Sequence, residues 1–275
     1  MKRLFCSDFD NTIARKGKIL QENVKAVHRL QENGIDFALA SGRPAANIRH
    51  IFRKYGIHGH IIANNGSLCL PEGGQEPVGF PIPPDEARSL IRLAEGEGIR
   101  YLFYSEDICY IPRSWSWLMS SRLASFIVKR RLGMRVKSFS SDNPYFLDEG
   151  VYKMNVFVKS HLDQWIEAIN EKGTLSATQS GDEKMELMAG GVNKLTGIQT
   201  LAKALDVPMD RVITIGDHDN DVEMLMGAGW SFAMSDGSEK AIEAAKMTTD
   251  PVDRMGFVKA VDWVIAHPEA GRLMA

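Results

Sequence analysis

Short apolar runs that stop at polar loops, each followed by a stretch of helical periodicity, constrain this chain more than any other feature. Leu4 to Ser7 is apolar and stops at Asp8, and from about Gln21 to Asn33 Val24, Val27 and Leu30 recur at helical spacing until Gly34. Ile35 to Ala40 then runs into Ser41-Gly42-Arg43-Pro44, a helical stretch reaches Tyr55-Gly56, and His60 to Ala63 runs into Asn64-Asn65-Gly66. Strands alternating with helices predict a parallel sheet wrapped by helices, an α/β fold of Rossmann-like design.

Prolines break that rhythm at Phe80-Pro81-Ile82-Pro83-Pro84, which reads as a linker. Beyond it the pattern predicts a helix over Glu86–Glu97, strands over Tyr101–Tyr104 and Ile108–Ile111, and a helix near Trp117–Arg131. A strand over Lys153–Val158, a helix over Leu162–Asn170 and strands over Leu175–Gln179 and Met185–Met188 follow. Strands that succeed strands predict an antiparallel α+β unit. After Ala189-Gly190-Gly191 the first rhythm returns, with a helix over Lys194–Leu205, the strand Val212–Ile215 ending at Gly216-Asp217, and a strand over Ser231–Met234. The expected organisation is one sheet domain, residues 1–82 and 190–275, split by an inserted cap, residues 83–189. For 275 residues this suits a figure of ~150 residues per domain.

With 33 Lys+Arg against 35 Asp+Glu there is no basic excess to hold a phosphate backbone, so no nucleic-acid partner is expected. No apolar run approaches the ~18 residues of a membrane span, and no signal-peptide stretch precedes Asp8. The three cysteines, Cys6, Cys69 and Cys109, form an odd set without a CxxC pair, which favours a reducing compartment. The expectation is a cytoplasmic protein with no membrane association and no obligate protein partner.

In an open parallel sheet, ligands bind outside the carboxyl ends of the strands. That rule gathers Asp8-Phe9-Asp10-Asn11-Thr12, Ser41-Gly42-Arg43, Asn64-Asn65-Gly66 and Gly216-Asp217-His218-Asp219-Asn220-Asp221 on one rim. Such an oxygen-rich set suits Mg²⁺, with Asp8 and Asp217 as side-chain ligands. A carboxylate beside that ion can attack a phosphorus atom and form an aspartyl-phosphate. Lys194 would supply a positive charge to the phosphoryl oxygens, and Ser41 with neighbouring backbone N–H groups such as that of Gly42 would add donors at a helix start. Asp10, two residues past Asp8, is placed to protonate a leaving oxygen and then deprotonate water.

These residues resemble the haloacid dehalogenase superfamily, specifically its Cof-like large-cap (type IIB) phosphatases. Four motifs stand in order: Asp8-Phe9-Asp10-Asn11-Thr12, Ala40-Ser41-Gly42-Arg43, Lys194 in Gly191-Val192-Asn193-Lys194, and Gly216-Asp217-His218-Asp219-Asn220-Asp221. The likeness covers essentially the whole chain, and the insertion lies where that family carries its cap. It implies Asp8 as nucleophile and Asp10 as acid/base that also ligates Mg²⁺ through its backbone carbonyl. It further implies Ser41 and Lys194 as phosphate holders, Asp217 as the second metal carboxylate, and Asn220 and Asp221 as supports, Asp221 near the metal waters or orienting Lys194. Asn11 stands where the family usually has Gly, Ser41 where Thr is commoner, and Met234-Ser235-Asp236-Gly237 where Met-Gly-Asn is usual.

The implied activity is Mg²⁺-dependent hydrolysis of small phosphorylated metabolites, sugar phosphates first, with the cap selecting the substrate. Two alternatives remain: a phosphotransferase or phosphomutase of the same fold, and a receiver-like sensor phosphorylated on Asp without turnover. Asp10 and the inserted cap argue against the sensor. Outside the motifs, His58 and His60 lack partners at zinc spacing and read as structural. Lys129, Arg130, Arg131, Arg135 and Lys137 read as a solvated face, and Trp115, Trp117 and Phe126 as packing. Gly227-Ala228-Gly229 is too short for a dinucleotide fingerprint.

Overall fold

A computed structural model describes residues 2–114 and 133–269. In chain order the elements begin with β1 (Arg3–Ser7), β2 (Ala14–Arg15), β3 (Lys18–Ile19), α1 (Gln21–Glu32), β4 (Ile35–Ala40), α2 (Ala45–Tyr55), β5 (His60–Ala63), β6 (Leu68–Leu70) and β7 (Val78–Gly79). They continue with α3 (Pro84–Gly96), β8 (Arg100–Tyr104), β9 (Ile108–Pro112), β10 (Arg135–Phe139), β11 (Lys153–Phe157), α4 (Leu162–Lys172), β12 (Leu175–Gln179) and β13 (Lys184–Ala189). The last are α5 (Lys194–Ala204), β14 (Val212–Gly216), α6 (Val222–Gly227), β15 (Trp230–Met234), α7 (Glu239–Ala244), β16 (Met247–Thr249) and α8 (Gly256–Ala266).

Contacts divide the chain into two compact units: Met1–Gly42, Ile51–Val78 and Asn193–Ala275 form one, Arg43–His50 and Gly79–Val192 the other. These bounds differ from those read off the sequence in counting Arg43–His50 with the second unit and in placing the breaks at Val78 and Val192.

The first sheet has the order β16-β15-β14-β1-β4-β5-β6-β7. All five residues of β1 are buried, as a central strand covered on both faces requires. β1 pairs in parallel with β4 and β14, with Ser7 opposite both Leu39 and Ile215, so three strands end at the same level. The expectation of a parallel sheet is corrected at one edge, where β6 runs antiparallel to β5. Four residues, Asn64 to Ser67, turn the chain back there, too few for a helical crossover. Helix α8 went unread in the sequence although Phe257, Ala260, Val261 and Val264 recur at helical spacing and are buried. Phe257 meets Phe5 edge-on at 5.9 Å.

The second sheet has the order β10-β9-β8-β11-β13-β12. It is antiparallel as expected except that β10 lies parallel to β9. Tyr101, Phe103, Met154, Val156, Met185 and Leu187 share one apolar cluster with Ala87, Ile91 and Ala94 of α3 and with the partly buried Trp165, Ile166 and Ile169 of α4. Alternate residues of the same strands, Leu102 and Tyr104, Lys153 and Asn155, Lys184 and Glu186, lie on the opposite face. Helix α3 starts at Pro84, earlier than read, because a proline at the first helical position lacks only an N–H that has no helical partner there. The predicted helix near Trp117–Arg131, with Trp115, Phe126, Lys129, Arg130 and Arg131, lies outside the described residues; Arg135 and Lys137 are exposed on β10. Among the described residues no helix is long and apolar enough to cross a membrane.

Candidate active site

Asp8 follows the last residue of β1, and its N–H donates to Ile215 O at 2.9 Å, which ties it to the end of β14. Asp217 follows β14 directly, so parallel pairing of two central strands is enough to set two carboxylates side by side. Asp221 ends a short 3₁₀ turn, and its Oδ2 accepts from the N–H groups of Asp217 and His218, both at 3.0 Å. Carboxylate oxygens of Asp8, Asp217 and Asp221 lie within 4.8 Å of one another, and all three residues are buried.

Lys194 stands between two of them. Its Nζ donates to Asp8 Oδ1 at 2.6 Å and to Asp221 Oδ1 at 2.5 Å, with the side chain 1% exposed. It is the first residue of α5, held by a capping box in which Asn193 Oδ1 accepts from Thr196 N at 3.0 Å and Thr196 Oγ1 accepts from Asn193 N at 3.3 Å. Burial alone would lower the lysine pKa, but Asp221 and Asp8 outweigh it and hold the group charged. Burial pushes the Asp8 carboxyl well above the usual range; Lys194 opposes this, while Asp221 and Asp217 add to it. Asp217 is pushed up to about 6 by burial and by Asp221, against the hydrogen bond from Thr12.

Among the described hydrogen bonds, Asp221 uses both carboxylate oxygens, Oδ1 for Lys194 and Oδ2 for two N–H groups. Asp8 and Asp217 each use Oδ1 only, the latter for Thr12 Oγ1 at 2.8 Å. Asp8 and Asp217 are thus the pair able to turn an oxygen toward a cation, and Asp221 orients Lys194. A buried, all-oxygen set without sulfur or imidazole fits a hard ion such as Mg²⁺.

The other residues read from the sequence fall around this cluster in the same unit. Asp10 is exposed two residues past Asp8 and bridges to Ala14 in a turn closed by Ala14 N to Phe9 O at 2.9 Å. Asn11 takes φ 59°, a left-handed backbone that Asn tolerates after Gly, which accounts for its standing in the usual glycine position. Ser41 is buried at the end of β4, its N–H donating to Ile62 O, and Gly42 follows it. Asn220 Nδ2 donates to Asn65 Oδ1 at 3.3 Å, and Asn65 N donates to Ser41 O at 3.0 Å. His60 is buried with Nδ1 accepting from Glu72 N, a structural role.

Thr12, Asn65 and Gly66 carry parts that the sequence did not disclose, although all three lie in loops it marked. Gly66, at φ 98°, packs on the start of α5: a Cβ there would lie 1.9 Å from Asn193 O and 2.7 Å from Asn193 C. Gly66→Ala is expected to destabilise the chain by about 1–3 kcal/mol and to reduce activity, because backbone that has to yield leads straight into Lys194. Gly73 is the control. Its φ is 92°, but a Cβ would meet nothing within 4 Å. Thermal unfolding and activity of the two alanine variants side by side check this; equal losses would show that conformation, not the contact with Asn193, decides.

A sequence model of haloacid dehalogenase-like hydrolases matches residues 5–261. Phosphatase YwpJ of Bacillus subtilis (strain 168) is 24% identical over 272 residues, covering 90% of this chain and 95% of its own. A 5-amino-6-(5-phospho-D-ribitylamino)uracil phosphatase of Escherichia coli (strain K12), YbjI, is 22% identical over 268 residues, 96% of this chain and 97% of its own. Among solved structures, the subclass IIB sugar phosphatase BT4131 matches with a TM-score of 0.78 at 21% identity, over 96% of this chain and 99% of that one. A haloacid dehalogenase-like hydrolase from Bacteroides thetaiotaomicron matches with a TM-score of 0.78 at 22% identity, over 96% of this chain and 100% of that one.

Proposed function

The chain belongs to the haloacid dehalogenase-like hydrolases, and from that membership we propose that it is a Mg²⁺-dependent phosphatase of small phosphorylated metabolites, sugar phosphates first, working through an aspartyl-phosphate. The observation that carries this reading is the buried Lys194 bridging Asp8 and Asp221, with Asp217 beside them. A structural ion pair needs one carboxylate. Three around one lysine leave excess negative charge that a cation and a phosphoryl group would balance together.

In the proposed reaction an oxygen of Asp8 attacks phosphorus, a P–O bond to Asp8 forms, and the P–O bond to the leaving group breaks. Asp10 gives its proton to the departing oxygen, then takes one from a water that attacks the same phosphorus. Phosphate leaves and Asp8 is regenerated. Lys194, Ser41 and the N–H of Gly42 hold the phosphoryl oxygens, Asp221 keeps Lys194 aimed, and Asn220 steadies the Asn65 turn. Mg²⁺, held by Asp8, Asp217 and the carbonyl of Asp10, would shield charge on those oxygens. In this reading residues 83–189 form the cap that selects the substrate. The partner is a small phosphorylated molecule rather than nucleic acid, membrane or an obligate protein. The location is cytoplasmic, in keeping with three buried free thiols.

The names of the relatives, a ribitylamino-uracil phosphatase and a sugar phosphatase, support this substrate class. A phosphate-release screen over phosphorylated metabolites, with and without Mg²⁺, tests it. Release is expected with Mg²⁺, abolition by EDTA, and recovery when Mg²⁺ is restored. Full turnover in EDTA would remove the metal from the reading. Absence of any release, with phosphoryl transfer to added sugars or a long-lived phospho-aspartate instead, would replace hydrolysis.

A further inference from the structure

On its apolar side the second sheet is not fully packed by its helices. Helix α3 leads into β8 through a short turn and so runs against it, β11 pairs antiparallel with β8, and α4 follows β11 and runs against that strand in turn. The two helices are therefore antiparallel, with the first turn of α3 and the last turn of α4 at the same end of the sheet. Between them lies a cavity of about 220 Å³, lined by Met154, Val156 and Leu187 of the sheet, Leu90 of α3 and Ile169 of α4. Protein interiors hold few voids larger than a water molecule, and an empty one of this size costs stability.

The chemistry of the lining narrows what could fill it. An apolar cavity of about 150 Å³ stays dry and admits benzene, so this one has room for a branched or aromatic side chain. Charge enters the lining only at the end where the helix termini come together, from Glu86 of α3 and Lys172 of α4. The neighbouring Ser89 is spent: its Oγ donates to Asp85 O at 2.9 Å and accepts from Arg92 Nη2 at 3.0 Å. Glu86 and Lys172 have no hydrogen-bond or ion-pair partner among the described residues, and although opposite in charge and on one cavity they do not pair with each other. A fatty acid would satisfy Lys172 and set its carboxylate against Glu86; an alkylamine would do the reverse; a hydrocarbon would answer neither charge. A zwitterion with an apolar side chain meets all three parts of the lining.

We propose that the space between α3 and α4 binds a free α-amino acid with an apolar side chain, its carboxylate on Lys172, its ammonium on Glu86 and its side chain in the cavity. Leu93, 46% exposed although it lines the cavity, gains cover from such a ligand. The site lies on the apolar face of the sheet, and the proposed phosphatase reaction uses none of its residues, so the inference goes beyond that reading and stands apart from it. Lys172 is exposed and Glu86 half-buried, where ion contacts are worth little singly, so the expected dissociation constant is on the order of 1 mM.

Saturation-transfer NMR with leucine, methionine and phenylalanine, each up to about 10 mM, tests this on wild type and on Lys172→Met, Glu86→Gln and Ala168→Phe. Ala168 is exposed and lines the cavity, so the larger ring obstructs it without a change in the core. Thermal unfolding and p-nitrophenyl phosphate hydrolysis at wild-type levels are expected for all three variants, since none of these residues belongs to the proposed active site. Contact of at least one amino acid with wild type, and a dissociation constant raised at least about tenfold in each variant, is the expected result. For the amino acid that binds, the matching acid without the ammonium and amine without the carboxylate, 4-methylpentanoate and 3-methylbutylamine for leucine, are expected to bind at least about tenfold more weakly. No contact with wild type, contact unchanged in the variants, or an analogue that binds as tightly as the amino acid overturns the inference, whether or not phosphate is released. Failure of wild type to release phosphate from any ester defeats the phosphatase reading alone and leaves the NMR result to decide this one.

Discussion

Asp8→Asn is expected to lower phosphate-ester hydrolysis by at least about a thousandfold while the chain stays folded. The amide has the size of the carboxylate and keeps one oxygen to accept from Lys194, which approaches Oδ1 at 2.6 Å, but it has no charge with which to attack phosphorus. Two effects on stability oppose each other. Repulsion among Asp8, Asp217 and Asp221 is relieved, since the latter two are among the causes that raise the Asp8 pKa. Lys194 in turn loses one of two charged partners. With opposed terms the net shift in Tm is expected to be small. Phosphate release and thermal unfolding of the purified variant check both halves; activity within about tenfold of wild type would exclude a nucleophilic Asp8.

Lys194→Met is expected to be the most destabilising single change at the site. Its aliphatic side chain fills much of the same volume, yet Asp8 and Asp221 lose the cation that holds them 2.6 and 2.5 Å from one nitrogen. Removing one partner from a buried ion pair costs about 3–5 kcal/mol, because the remaining charge stays buried and uncompensated. Loss of the phosphoryl-holding charge should add a drop in kcat of about a hundredfold or more. The pH dependence has a definite sign. Burial and mutual repulsion raise Asp8 and Asp217, the latter to about 6, and without Lys194 they rise further. A carboxyl whose folded pKa is raised destabilises the fold above that pKa and ceases to do so when protonated below it. The Tm deficit of the variant should therefore be greatest at neutral pH and narrow as pH falls through 6 and below. A deficit that widens on acidification would mean that Lys194 does not compensate these carboxylates.

Much of the fold was legible because burial on both faces leaves an unambiguous mark. The strands at Leu4, Ile35, His60 and Val212 are mostly apolar, broken only by single polar residues such as Asp36 and Thr214, and helices lie between them as parallel pairing requires. The short strands were not legible. β6 has three residues, β16 has three, and β2 and β3 have two each, too short for any periodicity. β10 hid for another reason: Arg135, Lys137 and Ser138 are exposed, so its pattern is that of a polar loop. Helix α7, Glu239–Ala244, is likewise brief and set by a Ser238 cap that accepts from Ala241 N.

Taken alone, the sequence determined the kind of chemistry available. Asp8, Asp10, Ser41, Lys194, Asp217 and Asp221 stand at or near the ends of predicted strands or at a helix start, and ligands in open parallel sheets gather at strand ends. Spacing along the chain says which loops share a rim, but not how side chains on that rim divide their lone pairs. Tertiary structure decided that Asp221 spends both oxygens on Lys194 and two N–H groups, leaving Asp8 and Asp217 as the pair open to a cation. It also decided that Gly66 touches the cap of the helix bearing Lys194, and that Asn155, unremarkable in a strand, keeps a buried oxygen without a partner among the described residues. The bonds of Lys194 that fix this division join residues 27 positions apart for Asp221 and 186 for Asp8, and local pattern carries no record of distances set by packing.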